Sequence, residues 1–185
     1  MKWLNDVRTK LGWSKLSKDL KGLNKTHRFL NMDEAENIGI LFEGTNETYN
    51  DIIHAYIKKL HKNKKEVHVL AYWSKKDIPD NPLKRLEINY FTKRDLNFKL
   101  IPNLQFVKNF INKDFDILIS INADGSFPLK YISALSNATM RIGSYQKENE
   151  PFYDLMINQK DKENIKEYFN QIDHYLNIIN KNAKV

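Results

Sequence analysis

The 185-residue chain is 41% hydrophobic and 12% aromatic and carries a net charge of +7, which is enough apolar side chain for one domain-sized core. It has no cysteine, which excludes disulfides, thiol catalysis and cysteine-ligated zinc. No run of about 18 apolar residues offers a membrane span, and the start of the chain lacks the apolar core and small-residue cleavage site of a secretory signal, so a cytoplasmic protein is expected.

The positive charge is concentrated in residues 1–30. Eight basic side chains (Lys2, Arg8, Lys10, Lys15, Lys18, Lys21, Lys25 and Arg28) stand there against Asp6 and Asp19, which accounts for +6 of the +7. Trp3, Leu4, Val7 and Leu11 share one helical face, and Leu16, Leu20 and Leu23 share another. With Gly12 between them and Ser14 as an N-cap, the pattern predicts two short amphipathic helices forming a basic leader ahead of a body at 31–185. Such a leader either packs on the body with its lysines in water or docks on a polyanion.

The body alternates strands and helices. "IGILFEG" at 38–44 is a continuous apolar run ending in glycine, the signature of a parallel strand buried on both faces. Tyr49, Ile52, Ile53, Tyr56, Ile57 and Leu60 then fall at helical spacing, and "VHVLAYW" at 67–73 is a second strand. A polar loop with two prolines, "SKKDIPDNPLKR", precedes the short strand "INYF" at 88–91. Leu104, Phe106, Val107, Phe110 and Ile111 mark a helix, "FDILISIN" a fourth strand, and "PLKYISALSNA" a helix with Pro128 in its first turn. "MRIGSY" is a fifth strand and "FYDLMI" offers a sixth. Ile165, Tyr168, Phe169, Ile172, Leu176 and Ile179 line one stripe of a last helix. The expected fold is one Rossmann-like α/β domain, mostly parallel, with helices on both faces and strand order 3-2-1-4-5 plus a possible sixth.

In that order a crevice opens beyond the carboxyl ends of strands one and four. Glu43, Gly44, Thr45 and Asn46 would line one side and Asn122, Asp124, Gly125 and Ser126 the other, with Lys93 near the same edge. The first turn, "EGTNETYN", has one glycine and no GxGxxG or Walker pattern, and Glu43 is unfavourable for phosphate there. No cofactor is expected. The turn "NADGSFP" suits an anion better, because helix amides point out of it, although Asp-Gly turns and Ser caps are ordinary scaffold devices. Ser126 lies outside a GxSxG elbow. The five histidines form no HExxH or other tight metal pair.

The stretches "IGILFEGTNETYN", "INYFTKRDLNF", "FDILISINADGSFPLKYISALSNATMRIGSY" and "FYDLMI…IDHYLNIIN" together resemble a family of short bacterial proteins of unknown function, over about residues 30–180. That resemblance implies no catalytic residues. Residues 115–145 are similar to the strand–helix–strand in the N-terminal half of heptosyltransferase-like glycosyltransferases. The similarity implies a scaffold without the C-terminal half that holds most of the nucleotide-sugar site.

Two functional classes follow. The first, which the sequence favours, is a non-catalytic adaptor whose Lys10, Lys15, Lys18, Lys21, Lys25 and Arg28 dock on RNA or the ribosome, with an anionic membrane surface or a protein as other partners. The second is a small enzyme or ligand sensor holding an anionic metabolite or sugar phosphate in the crevice, with Glu43 and Asp124 as acid–base candidates and Lys93 as counter-charge. A deep polar pocket at the switch point favours the second class, and a crevice filled by aromatic rings favours the first.

Overall fold

A computed structural model describes residues 2–23, 28–45, 47–75, 88–121, 125–159, 161 and 164–179. The polar loop at 76–87, together with Lys25, Asn46, Asn122 and Asp124, lies outside the described residues. Six strands form one sheet: β1 (Asn37–Glu43), β2 (Glu66–Trp73), β3 (Ile88–Thr92), β4 (Ile117–Ile121), β5 (Met140–Ser144) and β6 (Leu155–Ile157). Their order is β3-β2-β1-β4-β5-β6 and every pairing is parallel. The sixth strand is real and extends the sheet past β5. The strand order runs one way from β1 to β3 and the other way from β4 to β6, which puts the switch point between β1 and β4, where the alternation of elements placed it.

Helices cover both faces. On one side, α2 (Glu47–Lys62) and α5 (Ile165–Ile178) bury Ile53, Ile57, Leu60, Ile165, Phe169 and Ile172 against Ile38, Ile40, Phe42, Ile117 and Ile119. Tyr56 stacks on Phe169 with ring centroids 3.9 Å apart and planes 12° from parallel. Asn164 starts α5 by accepting a bond from the Glu167 amide. On the other side, α3 (Gln105–Asn112) and α4 (Phe127–Leu135) bury Val107, Phe110, Leu129 and Ile132 against Leu41, Leu70 and Leu118. Successive residues of each strand face opposite helix layers, so both faces are buried, which is what the continuous apolar runs of the sequence imply.

The leader differs from expectation. Residues Lys2–Lys21 form one continuous helix, α1. Gly12 does not break it, and Ser14 sits inside it. Gly12 is instead the point of closest approach to the body: a Cβ there would lie 2.6 Å from the Lys99 carbonyl oxygen and 2.6 and 2.7 Å from two Phe127 ring atoms. The helix propensity that glycine sacrifices is offset by tight packing that only a bare backbone permits. Leu16 is fully buried with Phe127, Tyr131, Phe152 and Tyr153, and Trp13 packs edge-on to Phe127 at 5.1 Å and stacks on Phe152 at 5.7 Å. The Tyr131 hydroxyl donates to Asp19 at 3.1 Å. α4 is therefore covered by the sheet on one side and by α1 on the other, and Phe127 to Ala134 are all buried.

Candidate functional site

Beyond the carboxyl ends of the central strands lies a crevice of about 740 Å³. Glu43 closes β1, Tyr72 and Ser74 stand at the end of β2, Lys93 follows β3, and Gly125 and Ser126 precede α4; all line the crevice. Asn5, Arg8 and Thr9 of α1 form its remaining polar wall. The basic leader and the switch-point crevice, read from the sequence as separate features, thus meet.

Each side chain has a local reason for its place. Thr92 and Asp95 make a capping box around a single 3-10 turn, Lys93–Asp95, with the Thr92 amide donating to Asp95 at 2.7 Å. That turn fixes the stem of Lys93. Asn97 folds the next loop by accepting from the Lys99 and Ile101 amides at 2.8 and 3.2 Å. The carbonyls of Phe98 and Asn97 then accept from the Arg8 guanidinium at 3.0 and 3.4 Å. Arg8 is held by backbone oxygens, which leave its full charge uncompensated by any carboxylate at those contacts.

The carboxylate of Glu43 is engaged at the other end of the crevice. It accepts from the Thr45 hydroxyl and, at 3.3 Å, from the Ser74 amide. The Thr45 and Ser74 hydroxyls share a bond of 2.9 Å. The Tyr72 hydroxyl is pushed up to about 12 by burial first and by Glu43 second, with Arg8 opposing. It is therefore a neutral donor at physiological pH.

Ser126 departs from the expected scaffold role. It occupies the N-cap position of α4, yet its side chain makes no capping bond. Its Oγ is buried without a hydrogen-bond partner, and the residue is only 9% exposed. It lines the crevice at the start of a nine-residue helix, where the dipole and the first-turn amides other than that of Pro128, which has no N–H, favour a negative charge.

Of the crevice residues named from the sequence, the structure brings Glu43, Thr45, Lys93 and Ser126 to one place, while Asn46, Asn122 and Asp124 lie outside the described residues. Among the basic candidates, Lys10, Lys18, Lys21 and Arg28 are exposed and Lys25 is outside the described residues. Lys15 is paired with Asp19. Sequence reasoning missed Arg8, Tyr72 and Ser74 as crevice residues. Tyr72 and Ser74 could have been found by extending the crevice rule to strand two; Arg8 is placed by a contact 90 residues away. Among the described residues no three His, Asp or Glu side chains gather so as to hold a metal ion. Two smaller hollows border Lys59 and Asp173, but those two charges already pair with each other. No helix among the described residues is long and apolar enough to cross a membrane.

An all-parallel sheet ordered β3-β2-β1-β4-β5-β6, with helices on both faces and a polar crevice at its switch point, defines a Rossmann-like α/β protein. The chain belongs to the family of unknown function DUF6913, whose family model matches residues 8–179. The match begins inside α1. No curated protein and no solved structure matches the chain, and a relationship of residues 115–145 to heptosyltransferase-like enzymes is not shown.

Proposed function

We propose that the crevice binds a small, hydroxyl-bearing anion of the sugar-phosphate class. The observation that carries this reading is Ser126: a buried hydroxyl at a helix N-terminus, without its capping bond and without any partner. A buried hydroxyl left unpaired costs about 1–3 kcal/mol, and a bound oxyanion would satisfy both it and the α4 amides. Lys93 and Arg8 supply positive charge to the same crevice. Glu43 makes the opposite end unsuitable for a second anion, while its carboxylate, Tyr72 and Ser74 suit ligand hydroxyls. The ligand is thus read as polar at both ends and charged at one.

Glu43 is the one carboxylate among the described residues lining the crevice. Any proton transfer to or from a bound hydroxyl falls to it first. The open crevice, with Glu43, Ser74, Lys93 and Arg8 lining it beside the rings of Tyr72 and Phe127, is the feature that favours a ligand-binding protein over a pure scaffold.

The test is calorimetric titration with inorganic phosphate and a panel of hexose and pentose phosphates. Sugar phosphates should bind more tightly than phosphate alone. Ser126→Ala and Lys93→Gln should each weaken binding roughly tenfold or more, as expected for a hydrogen bond or ion contact to a charged group. Tyr72→Phe should narrow the gap between sugar phosphate and phosphate. Binding that is absent for the whole panel, or unchanged in Ser126→Ala, would remove the proposal.

A further inference from the structure

The face of α1 turned away from the body exposes an apolar group in its first three turns, Trp3, Leu4 and Leu11 with half-buried Val7, and lysines in the turns that follow. At 3.6 residues per turn, Trp3, Val7, Leu11, Ser14, Lys18 and Lys21 follow one line along the helix, opposite Gly12 and Leu16. Trp3 is 75% exposed, Leu4 46% and Leu11 40%. The sequence pattern offers two apolar faces for packing on the body; the structure seats the body on the one that carries Leu16 and Leu20. Exposed apolar side chains are unremarkable singly, but a contiguous group of large ones marks an interaction surface.

We infer that this outer face of α1 docks the protein on an anionic lipid surface. Charge selects the occupant. Lys10, Lys18 and Lys21 are exposed along the stripe, and Asp6 is the one acid at its edge; Asp19 is turned inward to Lys15 and Tyr131. On a headgroup layer the first three turns would bury Trp3, Leu4 and Leu11 below the phosphates, while Lys10 beside them and Lys18 and Lys21 further along the same face reach the phosphates with their ammonium groups. RNA would use the lysines and could stack on Trp3, but it gives Leu4, Val7 and Leu11 nothing to be buried in. A lipid surface uses all of them. The helix binds peripherally and does not span, because it is too polar to cross a membrane. The crevice-lining residues of α1 stand on its other flank, so this inference is independent of the crevice's ligand.

The experiment is flotation of the full chain with vesicles of phosphatidylcholine alone and of equal parts phosphatidylcholine and phosphatidylglycerol, at low and high salt. Wild type should float with the anionic vesicles at low salt, stay soluble with the neutral ones, and lose most of its binding at high salt. Trp3→Ser with Leu11→Ser, and separately Lys10→Gln with Lys18→Gln and Lys21→Gln, should each lower partitioning by about tenfold or more. All five positions are exposed, so thermal melts of both variants should match wild type, which separates lost docking from lost folding. A parallel gel-shift with total RNA provides the competing outcome. Wild type that never floats, or a Ser variant that floats as well as wild type, overturns the inference. RNA binding at low salt that survives the Ser substitutions, without vesicle binding, reassigns the face to RNA.

Discussion

Gly12→Ala should destabilise the protein even though alanine is the better helix former. In the interior of α1 the exchange gains about 1 kcal/mol of helix propensity. Against that, the new Cβ would sit 2.6 Å from the Lys99 carbonyl oxygen and 2.6–2.7 Å from the ring of Phe127, where carbon contacts settle near 3.5–4.0 Å. Neither neighbour is a flexible side-chain end: one is backbone, and the other is a buried ring that also packs on Trp13. α1 must therefore lift by roughly 1 Å, loosening the Trp13 contacts and the seat of Leu16. Overpacking of this kind costs about 1–3 kcal/mol. Because backbone blocks relaxation, we expect the upper part of that range and a net loss of about 1–2 kcal/mol, seen in calorimetry as a fall in Tm of about 2–8 °C. Gly22→Ala is the internal control. Its nearest new contact is 3.6 Å, and no described glycine has positive φ, so it should be neutral or stabilising by about 0.4–1 kcal/mol. If Gly12→Ala raises Tm as Gly22→Ala does, the docked position of α1 is wrong.

Other perturbations probe the interior. Phe169→Ala, which removes a 4%-exposed ring and its stack on Tyr56, should cost about 3–5 kcal/mol in urea unfolding; an unchanged midpoint would mean that α5 is misplaced. Asn50 is 4% exposed and neither atom of its side-chain amide has a hydrogen-bond partner, so Asn50→Leu should stabilise by about 1–3 kcal/mol, and a loss of stability would reveal a partner for that amide. Tyr90 is pushed up to about 12 by burial, above an unfolded value of about 10. The unfolded chain then loses its proton first, so this group's contribution is fully present below about pH 10 and fades as pH rises toward 12. Tyr90→Phe should flatten that part of the stability curve, and identical pH profiles for variant and wild type would count against the burial of its hydroxyl.

The body was legible because its signals are local. Ile38, Ile40 and Phe42 alternate with Gly39 and Leu41 inside one apolar run, Pro128 marks a helix start, and the α5 stripe has strict helical spacing. Right-handed crossovers then leave little freedom in strand order. α1 was half legible. Both of its apolar stripes satisfy helical periodicity, and the choice between them is made by Phe127, Tyr131 and Phe152, far away in the chain. Gly12 read as a breaker because propensity is a local quantity and close packing is not. The crevice shows the same division. Glu43, Lys93 and Ser126 follow from strand ends, whereas Arg8 reaches the site through carbonyls of a loop about 90 residues later. Ser126 was misread in the usual direction: serine before a helix is generally a cap, and here the hydroxyl is withheld from that duty.

The seat of α1 also sets a schedule for biogenesis. Asp19 and the Tyr131 hydroxyl that secures it are separated by 112 positions, so α1 is synthesised well before the berth it docks into exists. At translation rates of about 5–20 residues per second, roughly 6–22 s pass between the synthesis of the two partners. For that interval Leu16 and Trp13 have no α4 to cover them, and the nascent chain carries an undocked helix with apolar residues on both flanks. Folding of the sheet cannot relieve this until β4 and α4 have emerged. A chaperone acting on this protein during synthesis should therefore engage its first 20 or so residues, and slowing translation should lengthen that engagement.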